Sequence, residues 1–177
     1  MKIPHESDHV DQVRAQWNRE WPGLDTAPIA IVARIGRLAR FFDHGCERVF
    51  AAHGLRRESW DALASLRRAG PPYRLSPTEL YRGLMRTSGA ITNRLHRLEQ
   101  DGLVRRVPDP TDGRGMLVEL TAKGRDLVDR VAPEHVLNER GMLDVLTPDE
   151  QQHLTDLLRK LLLSFETEPG PPPAPER

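Results

Sequence analysis

The sequence is poor in cysteine and in long apolar runs. Cys46 is the only cysteine among 177 residues, which excludes an intramolecular disulfide and a cysteine-based zinc site. There is no apolar run of about 18 residues and no positively headed signal segment, so a membrane span and a secretory leader are not expected. The length corresponds to about one domain. We therefore predict a cytoplasmic protein without a membrane partner.

Net charge is also absent, because 26 Lys and Arg balance 26 Asp and Glu. Residues 31–74 carry nine arginines against four acids, residues 82–115 carry seven against four, and residues 134–177 carry nine acids against four bases. A basic middle indicates a nucleic-acid surface even when the total charge is zero. Arginine supplies 23 of the 26 bases, and its fork of donors suits bidentate contacts.

Motifs for catalysis and for metal binding are missing. The sequence has no nucleophile elbow, no glycine-rich phosphate loop and no paired carboxylates in a defensible cleft. Its seven histidines show no metal-ligand spacing; His44 and His53, for example, lie nine residues apart and face roughly opposite sides of one helix. We therefore expect neither an enzyme nor a metal or other cofactor.

Two helix starts follow one another between residues 75 and 102. Ser76 to Glu79 forms a capping box with Pro77 in the first turn, and a second start at Thr87 precedes apolar residues at helical spacing until Gly102. Two capped helices in tandem predict a helix-turn-helix. Short polar side chains and one arginine on the outer face of the second helix are suited to base edges and phosphates. These candidate DNA contacts are Thr87, Ser88, Gly89, Thr92, Asn93 and Arg97.

A β-hairpin is predicted after these helices. The runs 103–107 and 116–120 are of β type, and the Pro-, Asp- and Gly-rich segment between them predicts a turn. Arg114 near the tip is a candidate for the minor groove, with Asp112 beside it. In the alternative interpretation, Asp112 and Arg114 merely pair with each other in a solvated loop.

The wing residues resemble the D-x-R … L-T signature of the MarR (multiple-antibiotic-resistance regulator) family. They are Asp112 to Arg114, then Val118, Leu120 and Thr121, and residues 87–95 are similar to that family's recognition helix. The resemblance extends over roughly residues 10 to 166. It implies a mainly α fold with a winged helix-turn-helix embedded in a helical dimerisation domain. It also implies a homodimeric transcriptional regulator, expected to repress, that binds a palindromic operator in double-stranded DNA.

Helices are predicted on both sides of this module. One extends from about residue 28 to 53, another from 122 to about 143 with Pro133 expected to kink or break it, and a last one begins at the Thr147 to Glu150 capping box. The strong leucine stripe of the last helix packs either on its own chain or in a two-fold dimer. We divide the chain into an N-terminal helix (1–26), a dimerisation helix (27–54), the DNA-binding domain (55–121), C-terminal dimerisation helices (122–166) and a disordered Pro-rich tail (167–177).

An N-terminal helix from His9 to Glu20 is similar to that of the urate- and aconitate-responsive subgroup of the family. Four residues mark the ligand site of that subgroup, and matching residues are present: Trp17, Asp61, Arg94 and Arg106. Their chemistry is consistent, because Asp61 on an apolar segment needs a cationic partner such as Arg106 or Arg94. A small anionic effector, either a purine such as urate or a tricarboxylate such as aconitate or citrate, would compete for the arginines. Alternatively, Asp61 and Arg106 form a permanent ion pair and Trp17 is a core residue.

Two alternative functions concern Cys46 and the outer face of the second helix. Some MarR relatives sense peroxide through one cysteine near the first core helix, where Cys46 lies, although a lone cysteine on a helix is more often a small core residue. The other rival is a winged-helix module that binds proteins instead of DNA. The polar outer face of the second helix, with Thr92, Asn93 and Arg97, argues against it.

Overall fold

The computed structural model describes residues 7–84, 88–111 and 115–166, with the backbone alone for 81–84 and 88–92. It is mainly helical with one small antiparallel sheet, as predicted. The elements are α1 (His9–Glu20), α2 (Ala27–Ala52), α3 (Arg57–Arg68), β1 (Arg74–Leu75), α4 (Pro77–Leu84), α5 (Ser88–Gln100), β2 (Val104–Pro108), β3 (Met116–Leu120), α6 (Ala122–Leu143) and α7 (Pro148–Glu166). The chain divides into two compact units, residues 1–46 and 47–177.

The first unit is held together by a charged cluster at the start of α1. Asp8 caps this helix by accepting hydrogen bonds from the backbone of Val10 and Asp11, and the Asp11 carboxylate bonds back to the Asp8 N–H. Arg34 of α2 donates to Asp8 at 2.8 Å and to Asp11 at 2.7 Å, and these bonds hold the pKa of both carboxyls below its ordinary range. The helix predicted from His9 to Glu20 is confirmed at both ends.

The core of the second unit is apolar and centres on α3. Leu63 and Leu66 are fully buried, and Trp60 stacks on Phe50 with ring centroids 5.3 Å apart. Helix α6 packs against α3 and buries Val131 completely. Each large aliphatic side chain buried in this way contributes roughly 1.5–3 kcal/mol, and α4, α5 and β3 all contact α3 at this core.

Both predicted boundaries of the helix-turn-helix are confirmed. The Ser76 hydroxyl accepts from the Glu79 N–H at 3.2 Å, and the Glu79 carboxylate accepts from the Ser76 N–H at 2.7 Å, which completes the capping box ahead of α4. After α5 the chain turns at Gly102, whose φ of +69° is the left-handed region that suits glycine. The Leu103 N–H then bonds back to the Leu98 carbonyl.

The sheet has the strand order β1-β3-β2, and both pairings are antiparallel. The hairpin β2–β3 is the predicted wing. Strand β1, only two residues long, was not predicted and adds a third strand, with Arg74 opposite Glu119. On the other edge Arg105 is opposite Glu119 and Arg106 is opposite Val118. Because side chains alternate along a strand, Arg105 and Arg106 lie on opposite faces.

Helix α6 begins directly against the junction of α5 and β2. Thr121 caps it by accepting from the Gly124 N–H, while its own hydroxyl lies within hydrogen-bonding distance of the carbonyls of Gly102 and Leu103. A Cβ placed on Gly124 would lie 2.1 Å from the Leu103 carbonyl oxygen. The absence of a side chain at Gly124 therefore allows the helix to approach the base of the wing.

The helix predicted from residue 122 to about 143 is confirmed, and Pro133, which was expected to kink or break it, does not break it, because α6 is continuous from Ala122 to Leu143. Proline costs the helix one backbone hydrogen bond, but packing anchors both flanks. Val131 is fully buried on one side, and on the other the His135 ring lies 4.9 Å from the Phe50 ring and 5.6 Å from the Trp60 ring, centroid to centroid. These contacts on both sides of Pro133 stabilise the continuous helix.

Helix α7 starts at the predicted capping box, with the Glu150 carboxylate accepting from the Thr147 N–H at 2.8 Å. None of its residues is buried. Its apolar side chains are all exposed by more than a third of their surface: Leu154, Leu157, Leu158, Leu161, Leu162, Leu163 and Phe165. Within the described ranges, none of the helices is long and apolar enough to cross a bilayer.

Candidate nucleic-acid interface and anion site

The recognition helix α5 is amphipathic in the orientation that DNA binding requires. Leu95 and Leu98 are buried against the rest of the second unit, whereas Asn93 and Arg97 are exposed. An asparagine amide can pair with the edge of adenine, and an arginine fork can bind guanine or a phosphate. The outer face of α5 therefore offers donors and acceptors of the kind that bind in a major groove.

The other predicted contacts on this helix are located only in part. Ser88, Gly89 and Thr92 lie on α5 by their backbone, and Thr87 lies outside the described residues. Asp112 and Arg114 also lie outside them. The base of the hairpin loop is closed by a backbone hydrogen bond from Asp109 to Gly115, and the Asp109 side chain accepts from the Thr111 N–H. This bond joins the two ends of the loop between β2 and β3.

Three of the four candidate anion-site residues lie on neighbouring elements of the second unit. Asp61 is on α3, half-buried beside the buried Trp60; Arg94 is on α5, with its Nη1 atom buried; and Arg106 is on β2. Helix α3 contacts α5, and α5 contacts β2. Trp17 is on α1 of the first unit and is 45% exposed.

The structure gives Arg106 a partner that the sequence analysis did not consider. Its Nε lies 3.5 Å from a carboxylate oxygen of Glu99 on α5, and both side chains are partly exposed. This ion pair joins the first wing strand to the recognition helix. Pairs with this exposure contribute only about 0–1 kcal/mol, so an anion could replace Glu99 at Arg106 at small cost.

A second charged row on the sheet was also missed. Glu119, nine-tenths buried, accepts from Arg74 on one neighbouring strand and from Arg105 on the other. Burial raises the pKa of the Glu119 carboxyl, but the bonds from the two arginines outweigh it and hold the pKa below its ordinary value. The available signal was an opposite-charge pair on two strands joined by a hairpin.

Comparison with known proteins agrees with this architecture. The model of the MarR family matches residues 53–115. Over 152 residues the chain is 38% identical to the HTH-type transcriptional regulator PecS of Dickeya dadantii (strain 3937), a match that covers 86% of this chain and 92% of PecS. The chain belongs to the MarR family.

Solved MarR structures show the same fold and include DNA complexes. Sco3205, a MarR family transcriptional regulator from Streptomyces coelicolor in complex with DNA, is 30% identical with a TM-score of 0.69, covering 78% of this chain and 88% of that one. A mutant MarR from E. coli complexed with operator DNA is 28% identical with a TM-score of 0.67, covering 82% and 97%. The winged helix-turn-helix and DNA-binding assignments made from sequence are therefore supported.

Cys46 does not favour the redox alternative within this MarR fold. Cys46 is only 4% exposed, whereas reactive cysteines lie in accessible, electropositive surroundings. It is better explained as a small apolar residue of the core.

Proposed function

We propose that this MarR-family chain is a ligand-responsive repressor that binds a palindromic operator as a homodimer and leaves it when a small anionic metabolite binds. The observation that carries the proposal is the amphipathic recognition helix. Leu95 and Leu98 are buried on the inner side of this helix, and Asn93 and Arg97 are exposed on its outer side. Repression follows if the operator overlaps a promoter.

Exposed apolar surface supports the homodimer. The apolar stripe of α7 is buried by no part of the described second unit, and it consists of Leu154, Leu157, Leu158, Leu161, Leu162 and Phe165. In the first unit α2 likewise exposes Ile31, Val32 and Phe41 by more than 60% each. Apolar surface of this extent favours a protein partner. A second copy of the chain, related by a two-fold axis, would place two recognition helices at half-sites roughly ten base pairs apart.

The charges on α3, α5 and β2 support an anionic effector. Arg94 and Arg106 offer two guanidinium groups, and Glu99 is a weakly held internal anion at the second of them. An effector that takes these arginines repels Asp61 and frees Glu99 on the recognition helix. Two binding sites coupled through one movable element are the requirement for allosteric release. A carboxylate or purine anion carries the negative charge that these two guanidinium groups would bind.

A gel-shift titration tests the proposal as a whole. A duplex from the region upstream of the gene is bound first, and urate, xanthine, citrate and trans-aconitate are then added at millimolar levels. We expect one class of anion to release the duplex. A chain that binds no upstream duplex would overturn DNA regulation, and binding that no anion disturbs would overturn the effector.

Variants then test the candidate site. Asp61→Asn and Arg106→Ala are expected to keep duplex binding and to lose anion-induced release, because they remove groups that respond to the anion. Arg130→Ala is a matched control, since Arg130 is exposed on α6. Normal release by both site variants would show that the anion binds elsewhere.

A further inference from the structure

Glu119 is a buried carboxylate that takes no part in the proposed release of DNA by an anion. It lies between Val118 and Leu120 on β3 and is 6% exposed. A buried carboxylate is costly unless it is paired and hydrogen-bonded. Its two partners, Arg74 and Arg105, lie on the two neighbouring strands. We therefore examine whether Glu119 orients one of these arginines for binding.

Each of the two arginines binds a different oxygen of the Glu119 carboxylate. Arg74 Nε bonds to Oε2 of Glu119, and Arg105 directs both Nε and Nη2 at Oε1, with the Nε bond at 2.6 Å. The Arg105 side chain is nevertheless 63% exposed. Its Nη1 makes no hydrogen bond within the part of the chain that the structure describes. One edge of the guanidinium is fixed and the other faces solvent.

The location of Arg105 suits DNA. It is on β2, directly after the recognition helix and on the strand that leads into hairpin loop 109–115. A guanidinium on the stem of a wing, not at its tip, is placed for the sugar-phosphate backbone beside the groove. The row of Arg74, Glu119 and Arg105 carries one net positive charge, and a fork held in advance loses less entropy on binding a phosphate.

We propose that Arg105 contacts a DNA backbone phosphate and that Glu119 is its positioning residue. This rests on the DNA binding proposed above and assigns it one further contact. Such a contact fixes the register of the protein on the duplex without selecting sequence. A small anionic effector offers the same chemistry as a phosphate diester, so the experiment has to separate the two sources.

The salt dependence of affinity tests the contact. Arg105→Gln is expected to lower the slope of log K against log salt by about 1 for each protomer bound, equally on the upstream duplex and on a random-sequence duplex. Arg105→Lys keeps the charge and should retain most of the slope. Arg130→Gln removes one exposed charge from α6 and should leave the slope unchanged. An unchanged slope for Arg105→Gln would overturn the contact, and so would a change confined to citrate-induced release.

Glu119→Gln tests the positioning role through the sign of its effect. The variant makes the protein more positive, so simple attraction predicts tighter binding. Loss of orientation predicts binding about three- to tenfold weaker, within the range for residues of one charge network, together with a reduced slope. Tighter binding would overturn the positioning role.

Two further measurements keep the test decisive. Thermal unfolding confirms that each variant is folded at the assay temperature. If Glu119→Gln is not, Glu119→Asp keeps the charge but withdraws it by one methylene, and it should also weaken binding; wild-type affinity for a folded Glu119→Asp protein would overturn the positioning role. A wild-type chain that binds neither duplex would overturn the proposed function itself, whereas binding with an unaltered Arg105→Gln slope overturns this inference alone.

Discussion

Arg105 lies directly opposite Glu119 across the wing ladder, and its Nε donates a 2.6 Å hydrogen bond to the Glu119 carboxylate. Arg74 binds the same carboxylate from β1. Strand β1 precedes the helix-turn-helix and β2 follows it, so one side chain on β3 joins the segments that enter and leave the DNA-binding helices. The Glu119 carboxylate therefore links the two strands that flank those helices.

The first prediction concerns the pH dependence of this row. Despite the opposing effect of burial, the pKa of the Glu119 carboxyl is lower in the folded protein than in the unfolded chain, because Arg74 and Arg105 donate hydrogen bonds to it. Its contribution to stability is therefore complete above the unfolded value and is lost as the pH falls through the folded value. We expect Glu119→Gln to lower the Tm at pH 7, and the difference from the wild type to close in acid.

Thermal unfolding followed by circular dichroism between neutral and acid pH measures this difference. Glu20→Gln is the control, because Glu20 pairs with Arg19 where both side chains are more than 70% exposed, and such pairs stabilise little. A Tm difference for Glu119→Gln that stays constant over the whole pH range would contradict the prediction.

The second prediction concerns the close approach of α6 to the base of the wing. Gly124→Ala places a methyl group 2.1 Å from the Leu103 carbonyl oxygen and 2.8 Å from Leu120 Cδ1, so backbone has to move. We expect a loss of about 1–3 kcal/mol in the free energy of unfolding. Urea denaturation measures it.

Gly141→Ala is the matched control on the same helix, since nothing lies within 4 Å of its added Cβ. Alanine is the better helix former by up to about 1 kcal/mol, so this variant should be neutral or more stable. Equal effects of the two exchanges would argue against a steric role for Gly124.

Local signals in the sequence were sufficient for most of the helices. Each of these signals depends on only a few neighbouring residues. The structure confirms the capping boxes that begin at Ser76 and Thr147 and the helix end at Gly102. Strand β1 could not be found in this way, because two residues carry no alternation. The break considered at Pro133 does not occur, although proline removes one backbone hydrogen bond, because Val131 and His135 pack on either side of it.

Partners of charged side chains were the least predictable part of the site. From chemistry alone, Asp61 on α3 was expected to pair with Arg106 or Arg94, and the structure places Glu99 of α5 beside Arg106. In the sequence, Glu119 between two apolar residues is typical of a strand position that faces solvent. Only the strand register shows that an arginine lies on each side of it. Pairing of this kind depends on register and helix packing, neither of which short-range sequence contains.

The third prediction separates sequence recognition from backbone binding. Asn93 is exposed on α5, so Asn93→Ala should change the preferred base at one position of each half-site, at a cost of about 1–3 kcal/mol on the favoured sequence. Arg114→Ala should weaken binding on all sequences, because a minor-groove arginine follows groove shape more than base identity. Selection from a randomised duplex pool measures both profiles, and indistinguishable profiles would contradict the division of roles.

The last prediction uses the apolar stripe of α7. Leu158 lies near the centre of the stripe and is 43% exposed. In a homodimer that buries this stripe, Leu158→Glu places two charges in an apolar interface and should shift the protein to monomers at micromolar concentration. Leu163 is 52% exposed but lies five residues further along, about 140° around the helix, outside the stripe.

Sedimentation velocity on the two variants decides whether the stripe is the dimer contact. Leu163→Glu should remain dimeric, because its added charge points away from the partner. The monomer formed by Leu158→Glu should also bind the upstream duplex far more weakly, since one recognition helix then has to bind without the second half-site. A wild-type protein that sediments as a monomer would contradict the dimer, and a dimeric Leu158→Glu would place the interface on another surface.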